Sequence, residues 1–192
     1  MREASANPRM IVGISGASGV IYGARLLELL RPLAVETHLV ISRAAEVTLA
    51  LETDLKLAAV RTRADVVHGI GDMAAPISSG SFRTMGMIVA PCSIRSMAEI
   101  ASGATTTLLT RAADVVLKER RRLVLVVRET PLHTGHLRTM TALSEMGAVI
   151  APPVPAFYAK PATITEMIDH TLGRVLDLFG LDSGTVRRWG ES

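Results

Sequence analysis

Short apolar runs alternate along the chain with longer segments whose apolar residues recur at helical spacing. Five runs are continuously apolar, which is typical of strands that a parallel sheet buries on both faces. These predicted strands lie at 10–14, 35–41, 85–90, 123–127 and 148–150. Helices are predicted at 20–31, 43–52, 94–102, 106–119, 133–146 and 163–180. This alternation predicts right-handed crossovers, and therefore an α/β fold with one parallel sheet and helices on both faces.

The last predicted helix has the clearest period, and Gly180 is predicted to end it. Its apolar face carries Ile164, Ile168, Leu172, Val175 and Phe179. By contrast, no long pattern is visible at 53–84, and the stretch after 181 is mostly polar. We therefore predict an N-terminal extension at 1–8, one domain at 9–181 and a C-terminal tail at 182–192.

Composition narrows the class of protein. The chain has 192 residues, of which 48% are hydrophobic and 20% charged, which excludes a disordered chain. The single cysteine, Cys92, cannot form an internal disulfide framework and is expected to be a small buried residue. No uncharged window reaches the ~18 residues of a membrane span, and the window at 146–159 contains three prolines. These features predict a soluble, cytoplasmic protein without a membrane span.

The charge points to a small anionic ligand. The net charge is +3, and only Lys56, Lys118 and Lys160 are lysines, so arginine supplies most of the positive charge. Arginine matches phosphate and carboxylate oxygens in two-pronged geometry. Nucleic-acid binding is disfavoured, because the arginines are spread out and aromatic residues make up only 3% of the chain.

The first strand is followed by a glycine-rich turn at 15–19 that leads into the first helix. Free N–H groups at the start of that helix would attract an anion. The spacing from Gly13 is G-x-x-G-x-x-G rather than the dinucleotide fingerprint, and Ser42 stands where an acidic residue would close the second strand, so NAD is disfavoured. The alternative is an ordinary turn with Ser18 as the helix N-cap.

Two other loops that follow predicted strands contain candidate functional residues. Ser93 and Ser96 follow the third predicted strand and are either ligand hydroxyls or an N-cap pair. At the end of the strand at 123–127, Arg128 could hold a phosphate or a flavin carbonyl, and Glu129 could move a proton; the alternative is a surface ion pair.

Arg111 and Lys118 are seven residues apart on one helix face, among apolar residues, and need an anionic partner. The run 120–122, by contrast, reads as a solvated helix end. His133 and His136 read as helix surface, because no carboxylate accompanies them at the spacing of a zinc site.

Taken together, seven motifs resemble those of the UbiX-type flavin prenyltransferases. They are GISGASG at 13–19, ETD at 52–54, PCS at 91–93, RAADVVLKER at 111–120, VRETP at 127–131, PAFY at 155–158 and RWG at 188–190. The resemblance runs in order from about residue 9 to 191. It implies a flavodoxin-like homo-oligomer, dodecameric in the family, that needs no metal.

The resemblance also implies the reaction. Such enzymes join the dimethylallyl group of dimethylallyl monophosphate to N5 and C6 of reduced FMN. The prenylated FMN then serves UbiD-type decarboxylases.

Residues that match the family's motifs acquire expected roles. The FMN-binding positions are Gly16, Ala17, Ser18, Ser42, Ser93, Ile94, Arg95, Ser96 and Arg128. The positions that hold the prenyl phosphate are Ser79, Lys118, Tyr158 and Arg174, with Arg111 nearby. Ser18, Glu52 and Glu129 match positions linked to proton transfer, and Trp189 matches an aromatic near the prenyl group.

Two alternatives remain open. An FMN-dependent decarboxylase of the cysteine-decarboxylase type would need a catalytic histidine, for which His68 is the candidate, and an asparagine-rich loop. Asn7 is the chain's only asparagine, and 103–110 replaces a family stretch that is often richer in asparagine. A non-catalytic FMN carrier subunit of a decarboxylase would keep the FMN loops but lose the prenyl-phosphate residues, which are present here.

Overall fold

A computed structural model describes residues 7–190, and its centre is a six-stranded sheet in which all strand pairs are parallel. The strands are β1 (Arg9–Ile14), β2 (Glu36–Ile41), β3 (Val66–His68), β4 (Gly86–Cys92), β5 (Arg122–Val127) and β6 (Val149–Ile150). The five predicted strands are all present. The sixth, β3, has three residues at the edge of the sheet, too few for a pattern to reveal.

The α-helices of the described residues agree closely with the predicted ones. They are α1 (Ile21–Leu30), α2 (Arg43–Glu52), α3 (Leu57–Arg61), α4 (Ile94–Ser102), α5 (Leu108–Lys118), α6 (Thr134–Glu145) and α7 (Ile164–Asp177). Only α3 was not predicted; like β3, it falls in the segment 53–84. The last helix ends three residues before the predicted end at Gly180, which lies beyond it with φ +70°.

The order of the strands places the ligand crevice. The sheet order is β3-β2-β1-β4-β5-β6, so the five predicted strands have the flavodoxin-like order and β3 extends one edge. The chain moves outward from β1 to β3 and then returns to pair β4 with β1. In such sheets, ligands bind beyond the carboxyl ends of the strands at this switch point. The loops after β1 and β4 therefore border the expected site.

The core has two layers, one on each face of the sheet. One layer packs α1, α2, α3 and α7 onto the sheet, with Leu27 and Leu172 fully buried. The other packs α4, α5 and α6 onto the opposite face, with Leu108 and Val116 fully buried. The predicted α/β architecture with helices on both faces is confirmed. One consequence matters for the site: α5 and α7 lie on opposite faces of the sheet.

The last described segment folds back along α7. The Thr185 hydroxyl donates to the Asp169 carbonyl at 3.0 Å, and Arg187 Nη1 donates to the Ala159 carbonyl at 3.0 Å. The predicted boundaries of an extension at 1–8 and a tail at 182–192 stay predictions, and residues 1–6, 191 and 192 lie outside the described residues. Across residues 7–190, none of the helices is long and apolar enough to cross a membrane.

Candidate active site

A cleft of about 590 Å³ lies at the carboxyl edge of the sheet, where the loops after β1 and β4 meet. We call it the carboxyl-edge cleft. The predicted residues that line it are Gly16, Ser42, Ser93, Ile94, Arg95, Ser96 and Glu129. Further lining residues, which the sequence did not single out, include Arg43, Ala44, Ile70, Gly71, Thr106 and Thr107. The volume and the mixture of apolar and polar walls are those of a small-molecule site.

Ser15 fixes the two loops that border the cleft. Its side chain is fully buried, donates a hydrogen bond to the Pro91 carbonyl at 2.9 Å and accepts one from the Ser93 N–H at 2.7 Å. One hydroxyl from the loop after β1 therefore satisfies two backbone groups at the end of β4 and in the loop after it, which would be costly to bury unpaired. The sequence drew attention to this loop, but nothing local to Ser15 indicated a partner 78 residues away.

Gly16 is required by close packing against α2. A Cβ atom at this position would lie 2.3 Å from the Cβ atom of Ala44 and 2.9 Å from its carbonyl carbon. The loop after β1 can therefore approach the start of α2 only because residue 16 has no side chain. Both residues line the cleft, so this contact sets its width.

Three helices begin at the cleft. Ser42 caps α2 by accepting from the Ala45 N–H, and Ser93 caps α4 by accepting from the Ser96 N–H. Thr107 caps α5 in a capping box with Thr110. The N-cap interpretation is thus confirmed for Ser93, with Ser96 as the residue whose N–H it caps, and both residues also line the cleft. Because each helix start carries partial positive charge, the three together favour an anion such as a phosphate in the cleft.

The start of α1 differs from the expectation. Its N-cap is Val20, without a side-chain cap, so the Ser18 N-cap interpretation is wrong. Instead, Glu52 at the end of α2 accepts a hydrogen bond from the Gly19 N–H at 2.7 Å. A carboxylate of the chain itself therefore lies at this helix start, and the expectation that a ligand anion binds there stays a prediction.

Glu52 joins the predicted residues Ser18 and Arg128 into one charged group. Burial would raise the pKa of Glu52, but hydrogen bonds from Ser18, Gly19 and Val20 and the charge of Arg128 hold it below its usual value. Arg128 also acts on Tyr22, whose pKa is raised by burial and lowered less strongly by that charge. Glu52 is therefore an ionised carboxylate held against the start of α1.

Glu129 and Ala17 complete the residues at this edge. Glu129 is exposed, lines the cleft and accepts a hydrogen bond from the Thr130 N–H at 3.0 Å. No ion pair joins Glu129 to Arg128 among the described residues, so the surface-pair alternative is not supported. Ala17 is nearly buried behind the loop and does not line the cleft.

A second group of predicted residues lies along α5 and is called the α5 group: Ser79, Arg111 and Lys118. Arg111 donates to the Ser78 carbonyl at 3.2 Å and pairs with Asp114 at 2.9 Å, which supplies its expected anionic partner. Lys118 ends α5, and its ammonium lies 2.6 Å from a Glu119 carboxylate oxygen. None of the three lines the carboxyl-edge cleft.

A third group is called the α7 group: Arg174 lies on α7, and Tyr158 and Trp189 lie in the segments before and after that helix. The rings of Tyr158 and Trp189 meet edge to face with centroids 5.5 Å apart, and the Tyr158 hydroxyl lies 3.4 Å from Nε2 of buried His170. Arg174 pairs with Asp177 at 2.7 Å. Trp189 is 82% exposed, an unusual state for a tryptophan in a single chain.

The three sets do not form one site within a single chain. The α5 group and the α7 group lie on opposite faces of the sheet, and neither lines the cleft. Chain topology therefore brings six of the nine predicted FMN positions to the cleft, whereas Ala17, Ser18 and Arg128 do not line it. It keeps the predicted prenyl-phosphate positions in two separate places.

The remaining candidates are placed as follows. Cys92 is fully buried, and burial raises the pKa of its thiol to about 12, which agrees with a structural residue. His133 is exposed and caps α6, while His136 beside it is half-buried. His68 Nε2 lies 2.9 Å from Nδ1 of buried His38, away from the cleft. Among residues 7–190 there is no metal-binding group of three or more His, Cys, Asp or Glu side chains.

Comparison with known proteins gives the family. The sequence model of the Flavoprotein family matches residues 1–177. The flavin prenyltransferase UbiX of Escherichia coli K12 is 61% identical over 184 residues, which cover 94% of this chain and 97% of that protein. This chain is a UbiX-type flavin prenyltransferase.

Solved structures of the family agree with the fold. AnUbiX (PadA1), crystallised with FMN and dimethylallyl pyrophosphate, is 55% identical, with a TM-score of 0.95 over 97% of this chain and 99% of that one. A dodecameric FMN-dependent UbiX-like decarboxylase from Escherichia coli O157:H7 is 52% identical, with a TM-score of 0.93 over 95% of this chain and all of that one. The flavodoxin-like fold inferred from the sequence is therefore confirmed.

Proposed function

We propose that the protein joins the dimethylallyl group of dimethylallyl monophosphate to N5 and C6 of reduced FMN and releases phosphate. The observation that carries the proposal is the carboxyl-edge cleft, which gathers seven predicted residues at the start of three helices. A UbiX prenyltransferase at 61% identity supports the same reaction.

The cleft suits FMN in both shape and chemistry. Ile70, Ile94 and Leu109 provide apolar wall for the flavin ring. The serine hydroxyls and the N–H groups at the starts of α2 and α4 provide donors for a phosphate. We infer that Gly16, Ser42 and Ser93 to Ser96 hold FMN, while Ala17 supports the loop from behind.

The α5 and α7 groups hold the prenyl phosphate only if different chains supply them to one site. Both carry cations at the surface, since the side chains of Lys118 and Arg174 are 46% and 56% exposed. Two exposed apolar residues lie in the same part of the chain: Phe157, next to Tyr158, is 77% exposed, and Ile164, at the start of α7, is 76% exposed. A homo-oligomer would bury these residues and could bring the groups to the cleft of a neighbour. We propose a dodecamer, as in the structurally characterised relative.

The chemistry assigns a role to each group. When bound, reduced FMN supplies the electron-rich atoms to which the dimethylallyl group is joined. As the allylic C–O bond breaks, Arg111, Lys118 and Arg174 stabilise the departing phosphate, where negative charge develops. Tyr158 and Trp189 present aromatic rings to the allylic cation and exclude water.

Ring closure removes a proton from C6 of the flavin. Glu129, which lines the cleft, accepts this proton directly or in concert with the departing phosphate. The pair of Ser18 and Glu52 lies near Arg128, one residue from Glu129, and holds the loop after β1 at the reacting edge.

The wider role follows from the product. We propose that the prenylated FMN passes to a UbiD-type decarboxylase in the cytoplasm. The cysteine-decarboxylase alternative is not favoured: His68 is bonded to His38 rather than lining the cleft, and Asn7 lies beside Arg9 and Arg83 outside the cleft. The carrier alternative is not favoured either, because the α5 and α7 groups are retained.

The test is a reaction with a mass readout. The purified protein is mixed anaerobically with reduced FMN and dimethylallyl monophosphate, and the molecular mass of the released flavin is measured by mass spectrometry. We expect the gain of one C5 unit, with the diphosphate run in parallel to define the donor. Bound but unmodified FMN with either donor would refute the prenyltransferase proposal and favour the carrier.

A further inference from the structure

The segment 78–82, which carries Ser79, is clamped to α5 by arginines. Arg121 Nη1 donates to the Phe82 carbonyl at 2.7 Å, and its Nη2 donates to the Gly80 carbonyl at 2.6 Å. Arg111 binds the preceding Ser78 carbonyl at 3.2 Å. The Arg121 side chain is only 17% exposed. The expectation that the run 120–122 is a solvated helix end is therefore wrong for Arg121, although Arg120 and Arg122 are exposed.

Glu119 links this clamp to Lys118. One carboxylate oxygen lies 2.6 Å from Nζ of Lys118, and the other lies 3.8 Å from Nη2 of Arg121. The hydrogen bond and the charge of Lys118 lower the pKa of Glu119, so the carboxylate is ionised at neutral pH. Arg121, Glu119 and Lys118 therefore form a continuous charged chain at the end of α5.

Gly80 shows how tightly the segment and the charged chain are packed. A Cβ atom on Gly80 would lie 2.1 Å from a Glu119 carboxylate oxygen and 2.8 Å from Nζ of Lys118. Gly80 is not in the left-handed region, so the absence of a side chain serves close approach rather than an unusual backbone angle. The backbone that carries Ser79 thus lies directly against the Lys118 ammonium.

We propose that Arg121 is a positioning residue that fixes Ser79 and Lys118 relative to each other as one preformed phosphate-binding unit. The inference rests on the proposed function, in which Ser79 and Lys118 hold the prenyl phosphate. A free lysine side chain loses much rotamer freedom when it binds a ligand. Holding it through Glu119, against a segment clamped at two carbonyls, removes part of that cost before the phosphate arrives.

The test replaces Arg121 and compares it with a matched neighbour. Arg121→Gln removes the clamp, and Arg120→Asn removes one positive charge next to it. Asparagine suits residue 120, which has φ +56°. We expect Arg121→Gln to raise KM for dimethylallyl monophosphate about ten-fold and to leave the dissociation constant of FMN unchanged. Arg120→Asn should change neither.

A readout independent of turnover checks the cause. The Phe82 N–H is hydrogen-bonded to the Ser79 carbonyl, so its hydrogen exchange reports whether the segment stays ordered. Exchange should become faster in Arg121→Gln and stay unchanged in Arg120→Asn. Gly80→Ala, which keeps Arg121, should raise the same KM, because the new methyl group displaces Glu119 and Lys118.

Separate outcomes overturn the two levels of the proposal. If Arg121→Gln lowers FMN affinity by the same factor by which it raises KM, and also lowers the melting temperature, Arg121 is only structural. If KM is unchanged in both Arg121→Gln and Gly80→Ala while Lys118→Met raises it, the positioning role is wrong but the site stands. If Lys118→Met itself leaves KM unchanged, the assignment of Lys118 to the prenyl phosphate fails.

Discussion

Adding a single methyl group at Gly16 should disrupt the flavin site. In Gly16→Ala the new Cβ atom would lie 2.3 Å from the Ala44 Cβ, 2.9 Å from the Ala44 carbonyl carbon and 3.1 Å from its Cα. Ordinary contact between carbon atoms is about 4 Å, so the first distance is short by more than an ångström. Rotation of a side chain cannot relieve it, because both contacting groups are fixed to the backbone.

The cost follows from the movement required. The loop after β1 and the start of α2 must separate, and overpacking of this kind destabilises by about 1–3 kcal/mol. Both residues line the cleft, so the same separation changes the geometry of the predicted flavin site. Every 1.4 kcal/mol is about ten-fold in affinity, so we expect the dissociation constant of FMN to rise about ten-fold or more.

The assay combines urea unfolding with FMN titration. Gly69→Ala is the matched control, because its Cβ would meet only the Asp72 Cβ at 3.8 Å. We expect this control to stay within about 0.5 kcal/mol of the parent protein. Adding Ala44→Gly to Gly16→Ala removes the worst contact but leaves the backbone contacts, so rescue should be partial. Parent-like stability and FMN affinity in Gly16→Ala would refute the reasoning.

Three further outcomes are expected. Ser15→Ala leaves the Ser93 N–H without its buried partner and should lower the free energy of unfolding in urea by about 1–3 kcal/mol. The control Ser102→Ala, at the exposed end of α4, should leave that free energy unchanged. Equal effects of the two substitutions would contradict the bridging role of Ser15. The lowered pKa of Glu52 means that its contribution to stability is present above the ordinary value of 4.5 and is lost as pH falls through the lower folded value. The difference in melting temperature between the parent protein and Glu52→Gln should therefore become smaller as the pH is lowered. A difference that does not change with pH would show that the charge of Glu52 is not involved. Glu46→Gln on the same helix serves as the control. Glu129→Gln should retain FMN affinity but slow prenyl transfer, measured by single-turnover mass spectrometry; unchanged turnover would remove Glu129 from the chemistry.

The sequence predicted the parts of the fold that depend on local pattern. Five buried strands and six helices have enough residues for their period to be read, and their positions differ from the structure by only a few residues. The short elements α3 and β3 were missed because five and three residues are too few for a period to be visible. As a result, Ile70 and Gly71, which follow β3 and line the cleft, were missed as well.

The predictions that were wrong involve partners far away in the chain. Ser18 is a residue type that favours the N-cap, but Val20 occupies that position, and the nearby Gly19 N–H donates to Glu52, 33 residues away. The neighbouring sequence predicts that Arg121 is solvated, yet the two carbonyl groups that it binds lie 39 and 41 residues earlier in the chain. Tertiary contacts of this length leave no local signal. The family motifs indicated candidate site residues, but not that the sheet would separate the α5 and α7 groups.

The separation of the α5 and α7 groups has a genetic consequence. If neighbouring chains supply the two groups to one site, two inactive variants can repair each other. In a random 1:1 co-assembly of Lys118→Met with Arg174→Ala chains, a site receives an intact α5 group with a probability of about one half, and an intact α7 group with the same probability. About one quarter of the sites therefore receive both intact groups. Two defective alleles in one cell would then restore prenyl transfer that neither supports alone.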